Sequence, residues 1–196
     1  MYLASVMALI VLGSPASSAS AGLTAVHPDT ACPHRSVPLE ARKSPLDSVT
    51  FSVSNQPIKV CYGRPSSRGR VMLGGADIPY GRLWRTGANE PTIFFNPVPV
   101  AVAGIRVPPG VYSLYTVPGA KVWEIIVNRS TSQWGKEDQY TSEVKAHEVG
   151  RAKVKTETVT SPIETFTIRA DPAGKNANLV MEWEKTRVKI PFRPAK

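Results

Sequence analysis

Apolar residues in this chain recur at every second position in short runs, and Gly or Pro ends each run before it reaches helix length. Val49, Phe51 and Val53 alternate with Thr50, Ser52 and Ser54; after Asn55-Gln56-Pro57, Ile58, Val60 and Tyr62 alternate again. That period places one apolar face on a half-buried strand, and two such runs around a turn predict a hairpin. Further strands are predicted over 92–95, 98–102, 105–107, 111–116, 122–127, 151–159, 165–168, 179–183 and 187–190, with Pro118-Gly119 marking a type II turn. Only 136–150 has room for a helical turn, and its composition is polar. About ten short strands with no βαβ alternation predict an all-β fold, a single antiparallel β-sandwich or flattened barrel. In the last segment Leu179, Met181 and Trp183 share one face while Val188 and Ile190 share the other. The change of parity predicts a bulge or tight hairpin near Glu184-Lys185.

The N-terminus reads differently. Residues 6–12 are an unbroken apolar run, followed by Ala19-Ser20-Ala21 in the A-x-A pattern of a cleaved secretory signal. The run is too short for a transmembrane helix, which needs about 20 apolar residues. No Lys or Arg precedes it, a departure from the usual signal. The organisation expected is therefore a signal peptide (1–21), an extended arm with four prolines (22–45) and a β-rich domain (46–193), located in the periplasm or secreted. Nothing before Ala21 is charged, so the mature chain keeps the whole net charge of +9. Such a balance attracts acidic surfaces, and for an exported protein an anionic glycan or other cell-envelope component is the expected partner. The only two cysteines, Cys32 and Cys61, can pair in an oxidising compartment. The alternative is a half-buried Cys61 and a free Cys32.

Between Tyr62 and Glu90 the chain carries five arginines (Arg64, Arg68, Arg70, Arg82, Arg85) and no lysine, with six glycines, Trp84 and Asn89 among them. A guanidinium offers a planar fork of donors that a lysine lacks. Such a block is either a scaffold of mutually bonded groups or a site for an anionic or polar ligand. The candidate ligand-binding set is Arg64, Arg70, Trp84, Arg85, Asn89 and Glu90. Gly87 is expected to supply a positive φ in the turn between Arg85 and Glu90, and Glu90 is expected to hold Arg85 two-handed across it.

YGRPSSRGR, IPYGRLWRTGANEPT, PPGVYSLYTVPGAKVWEIIVN, QWG and LVMEWEKTRVKIPF, in that order, resemble a widespread family of exported bacterial proteins known only as a domain of unknown function. That family is typified by YxRPSxKGR…WRTGANE…W…QWG…EW. The resemblance covers about 44–192 and leaves the arm with Cys32 outside. It implies export and a compact β-rich domain, and it carries over no activity, cofactor or catalytic residue.

Other chemistries fare less well. Ser66 and Ser67 lack a base: His147 is the only histidine within the β-rich domain, and there is no G-x-S-x-G elbow. Glu90 with Glu182 or Glu184 has the residue types of a glycosidase pair, but each also suits an arginine partner or an exposed strand. His27, Asp29, Cys32 and His34 match no closed zinc spacing, so no metal site and no cofactor is expected. Trp123 and Trp183 have core parity, and Trp134 is the tryptophan placed for exposure. Nucleic-acid signatures are absent. The leading expectation is a binding module for an anionic or polar envelope ligand. A hydrolase using Glu90 with Arg85 and Asn89 is the alternative, and a structural or protein-interaction domain a third; oligomeric state is not legible. Export is directly testable: N-terminal sequencing of protein from its host should begin near Gly22, and intact chain starting at Met1 in the cytosol would contradict it.

Overall fold

The computed structural model of the chain describes residues 31–33 and 38–195. The 6–12 run, the 19–21 triplet, and His27, Asp29 and His34 lie outside the described residues. Among the described residues there are nine strands: β1 (Leu46–Val53), β2 (Gln56–Gly63), β3 (Thr92–Asn96), β4 (Val100–Val102), β5 (Ile105–Val107), β6 (Gly110–Val117), β7 (Val122–Asn128), β8 (Glu148–Ala173) and β9 (Asn176–Pro194). One short helix, α1 (Ser142–Ala146), and a 3-10 turn at Glu137–Gln139 occupy the polar connector. Thr141 caps α1, its hydroxyl accepting from the Val144 amide.

All nine strands form one antiparallel sheet in the order β1-β2-β3-β6-β7-β8-β9-β4-β5. The predicted strands at 151–159 and 165–168 are one strand, as are those at 179–183 and 187–190. β8 is long enough to serve two neighbours. Its first part pairs with β7 as far as Lys155, and its remainder pairs with β9 from Thr156 onward. Register shifts between Thr158 and Ile163, and again before Thr167, interrupt its pairing with β9. Opposite Ile163 stands Glu184 with φ of 53°, the bulge that the parity change requires. The sheet thus folds on itself without closing, and β1 and β5 remain its edges.

The facing halves enclose one apolar core. Alternation puts Phe51 and Val53 inside, and Phe51 meets Phe192 of β9 edge-on at 5.2 Å. Trp123 and Trp183 are fully buried, and Trp134 is half-buried. Trp84 lies between the halves, its ring 5.9 Å from both Trp123 and Trp183 and 5.1 Å from Phe166. Contacts of this kind add about 0.5–1.5 kcal/mol each beyond the area they bury. The Pro118-Gly119 turn departs from type II, because Gly119 is not in the left-handed region that type requires.

On the outer face a disulfide joins Cys32 to Cys61, with Cα atoms 5.6 Å apart, beside Ile93 and Phe95. It fastens the arm to β2 across a separation of 29 residues. A loop of that length restrains the unfolded chain by about 3–4 kcal/mol in the chain-entropy model. Cys32→Ser should therefore lower the unfolding free energy by about that amount in urea titrations; equal midpoints for variant and wild type would contradict it.

Candidate functional site

The segment from Trp84 to Thr92 is stitched to the sheet at both ends. Trp84 exchanges both backbone hydrogen bonds with Thr116 of β6, at 2.7 and 2.9 Å. The Thr92 amide donates to the Arg85 carbonyl at 3.0 Å, and its hydroxyl to the Thr86 carbonyl at 2.7 Å. The left-handed positions in this turn are Thr86 (φ 60°) and Asn89 (φ 66°), not Gly87 as expected. Gly87 serves close approach instead: a Cβ there would lie 3.0 Å from the Gly63 carbonyl oxygen. Gly63 answers it, since its own Cβ would fall 2.1 Å from the Ala88 oxygen. Left-handed backbone at a buried β-branched residue costs about 1–3 kcal/mol. The Thr86 hydroxyl, hydrogen bonded to Thr116 Oγ1 at 3.1 Å, helps hold it.

The two left-handed residues send the side chains on either side of them in different directions, and this corrects the expected Arg85–Glu90 pair. Glu90 turns toward the arm, where Arg42 grips it two-handed: Nη1 donates to Oε2 at 2.8 Å and Nη2 to Oε1 at 2.7 Å. The Arg42 side chain is fully buried and that of Glu90 is 10% exposed. Asn89 also turns to the arm, its Nδ2 donating to the Ser44 carbonyl. Arg64 reaches Asp47 at 3.4 Å and Thr167 Oγ1 at 3.1 Å. Arg68 donates to the Lys43 carbonyl, and Arg70 to Asp77 at 2.8 Å and to the Ser67 carbonyl. Of the six candidates, then, only Arg70, Trp84 and Arg85 line a common cavity.

That cavity is a cleft of about 500 Å³. Trp84 and Trp183 line it, with one segment carrying Met72 and Ile78 and a second, 135–138, as walls. Each wall has a visible support. Glu184, re-aimed by the bulge, accepts the Met72 and Leu73 amides at 2.8 and 2.9 Å and so holds the first. The second rests on Gly135, where a Cβ would lie 2.4 Å from Arg85 Cδ and 2.8 Å from the Asn89 oxygen. Gln133 steadies it by donating to Tyr115 Oη at 3.0 Å. Sequence reasoning missed this wall; the signal for it was the charged triplet Lys136-Glu137-Asp138 immediately after Gln133-Trp134-Gly135.

Arg85 is the odd group in the set. Its guanidinium is half-buried in the cleft and has no hydrogen bond or ion pair among the described residues; Nε is buried and unbonded. Burial pulls it below the ordinary arginine value, and Glu137 is the largest of the influences opposing that shift. Other chemistries lose their groups. Glu182 is bonded to Arg169 and Arg187, and Glu184 to backbone amides. Ser66 pairs with Thr165, and His147 Nδ1 lies 2.9 Å from the Glu143 carbonyl oxygen beside α1. Among the described residues no group of His, Cys, Asp and Glu could hold a metal ion, and no helix is long and apolar enough to cross a membrane.

The two arginines near the motif should behave oppositely. Breaking one side of a buried pair leaves an uncompensated charge, so Arg42→Ala or Glu90→Gln should each cost about 3–5 kcal/mol. The double variant should cost less than the sum, whereas strict additivity in a double-mutant cycle would show that the pair is not coupled.

A search of the curated proteins and one of the solved structures found no match. A family model described as "Protein of unknown function (DUF2911)" matches residues 44–192, the span from the end of the arm to the last buried residue of β9. The chain belongs to that family.

Proposed function

We propose that the protein is a binding module of the cell envelope whose cleft takes the anionic group of a small polar ligand on Arg85. The observation that carries this is a half-buried guanidinium facing a cleft with no protein acceptor among the described residues. Buried polar groups are ordinarily bonded, and an unmet charged donor is costly. A carboxylate, phosphate or sulfate satisfies the fork two-handed. The Trp84 and Trp183 edges offer the rest of the ligand an apolar surface. Export is supported by the apolar run and A-x-A triplet at the N-terminus and by the Cys32–Cys61 bond, which suits an oxidising compartment.

The hydrolase alternative is disfavoured, because the Glu90 carboxylate that would serve it has both oxygens engaged by Arg42. A purely structural role is the reading to beat, and it makes the opposite demand of Arg85. If Arg85 serves a ligand, Arg85→Met should keep or raise the melting temperature while weakening anion binding. Loss of charge-assisted hydrogen bonds worth about 1.5–3 kcal/mol corresponds to roughly 10- to 150-fold in affinity. Calorimetry of wild type and Arg85→Met against phosphate, glucuronate and peptidoglycan fragments is the test. No binding to wild type, or equal binding by the variant, would refute the proposal.

A further inference from the structure

The charge of the cleft is at odds with the charge of the chain. The protein carries 24 basic and 15 acidic residues, yet the cleft is lined by Arg70, Arg85 and Lys136 against Asp77, Glu137 and Asp138. Arg70 and Asp77 neutralise one another at the rim, 2.8 Å apart and each about half exposed. That leaves Arg85 and Lys136 as cations and Glu137 and Asp138 as anions. None of these four side chains has a hydrogen bond or ion pair among the described residues. A site built for a polyanion would not set two uncommitted carboxylates on the wall beside its arginine, since like charge facing like charge is penalised. Nor would a site for a simple cation bury a guanidinium.

We propose that the ligand of this cleft is a zwitterion, an amino acid or short peptide with its termini free, whose carboxylate meets Arg85 and whose ammonium meets Glu137 and Asp138. This rests on the reading of Arg85 as an anion-binding group and narrows it. An apolar side chain of such a ligand lies against Trp183, Met72 and Ile78. A cleft of about 500 Å³ has room for a short peptide and is larger than a lone ion needs. The ligand's two charges meet Arg85 and the two wall carboxylates while adding no net charge to the cleft. Glu137 then has two tasks: it offsets part of the cost of burying Arg85 when the cleft is empty, and it takes the ammonium when the ligand arrives.

The test uses the mature chain, calorimetry, and the dipeptides Ala-Leu, Ala-Phe and Ala-Trp, each also as its N-acetyl and C-amide forms. The free dipeptides should bind at least about tenfold more tightly than either capped form. Replacing both wall carboxylates (Glu137→Gln with Asp138→Asn) should bring a free dipeptide down to the affinity of its N-acetyl form and leave the N-acetyl form no weaker than before. Arg85→Met should lose all of them. If N-acetyl dipeptides bind as tightly as free ones, or the wall substitutions tighten every probe alike, the zwitterion inference is overturned while the anion-binding reading stands. If phosphate or glucuronate binds through Arg85 and no free dipeptide does, the result is the same. If no anion of any kind depends on Arg85, both readings fall together.

Discussion

Arg42 and Glu90 form a two-handed ion pair closed off from solvent, and the behaviour of the motif loop depends on it. Taking two charges out of water is expensive, and a fork-to-carboxylate geometry is among the few that compensate. The pair anchors the arm against the loop, and Asn89 to Ser44 and Arg68 to Lys43 extend the seam. Its second effect is on Arg85. Glu90 is the carboxylate nearest in sequence to Arg85, and Arg42 claims it. Arg85 is thereby left in the cleft without an ion pair among the described residues. The buried scaffold pair and the unpaired cleft arginine are therefore produced by the same contact, so the arginine-rich block is divided between the two arrangements.

The cleft also depends on the bend of the sheet. β8 leaves β7 after Lys155 and pairs with β9 from Thr156, and its register with β9 slips beyond Thr158, where Glu184 stands opposite Ile163 in a left-handed conformation. A glutamate in regular strand geometry at that point would follow the alternation of its neighbours. The bulge instead aims its carboxylate at the Met72 and Leu73 amides, fixing the wall that faces Arg85. Sheet irregularity, loop position and cleft shape are one chain of cause. Thr86 fits the same pattern, because strained backbone persists only where surrounding contacts over-determine it.

Much of the fold was legible because period two is a local signal. Val49, Phe51 and Val53 announced the inner face of β1, and the parity of Leu179, Met181 and Trp183 against Val188 and Ile190 announced the bulge in β9. The continuity of β8 was not legible. Thr160-Ser161-Pro162 reads as a turn, and only the register slip shows why a proline is tolerated there: next to a bulge no ladder hydrogen bond is asked of it. The partner of Glu90 was hidden for another reason. Arg42 lies 48 residues earlier, in a segment without periodicity, and nothing local reports a contact over that separation. For the candidate site, composition pointed to the block that holds Arg70, Trp84 and Arg85, which line one cleft. It could not divide the arginines by direction, because that depends on left-handed backbone at Asn89 and at Thr86, a β-branched residue that does not advertise it.

The excess positive charge must then be doing something other than lining the cleft. On the strands around the β8–β9 ribbon many cations already have carboxylates: Arg151 meets Glu148 and Glu124, Arg169 and Arg187 meet Glu182, and Lys189 meets Glu157. Glu148 shows the strength of such a contact, since the hydrogen bond from Arg151 holds its carboxyl below the ordinary carboxylate range. Exposed surface charge is screened by salt beyond about 8 Å. Charge of that kind attracts an acidic surface without selecting within it. Selection belongs to short-range groups, and in the function proposed above those are the half-buried Arg85 and the exposed carboxylates of Glu137 and Asp138. In that proposed function, a basic exterior that attracts an acidic surface and a charge-balanced cleft that discriminates are compatible because they act at different distances.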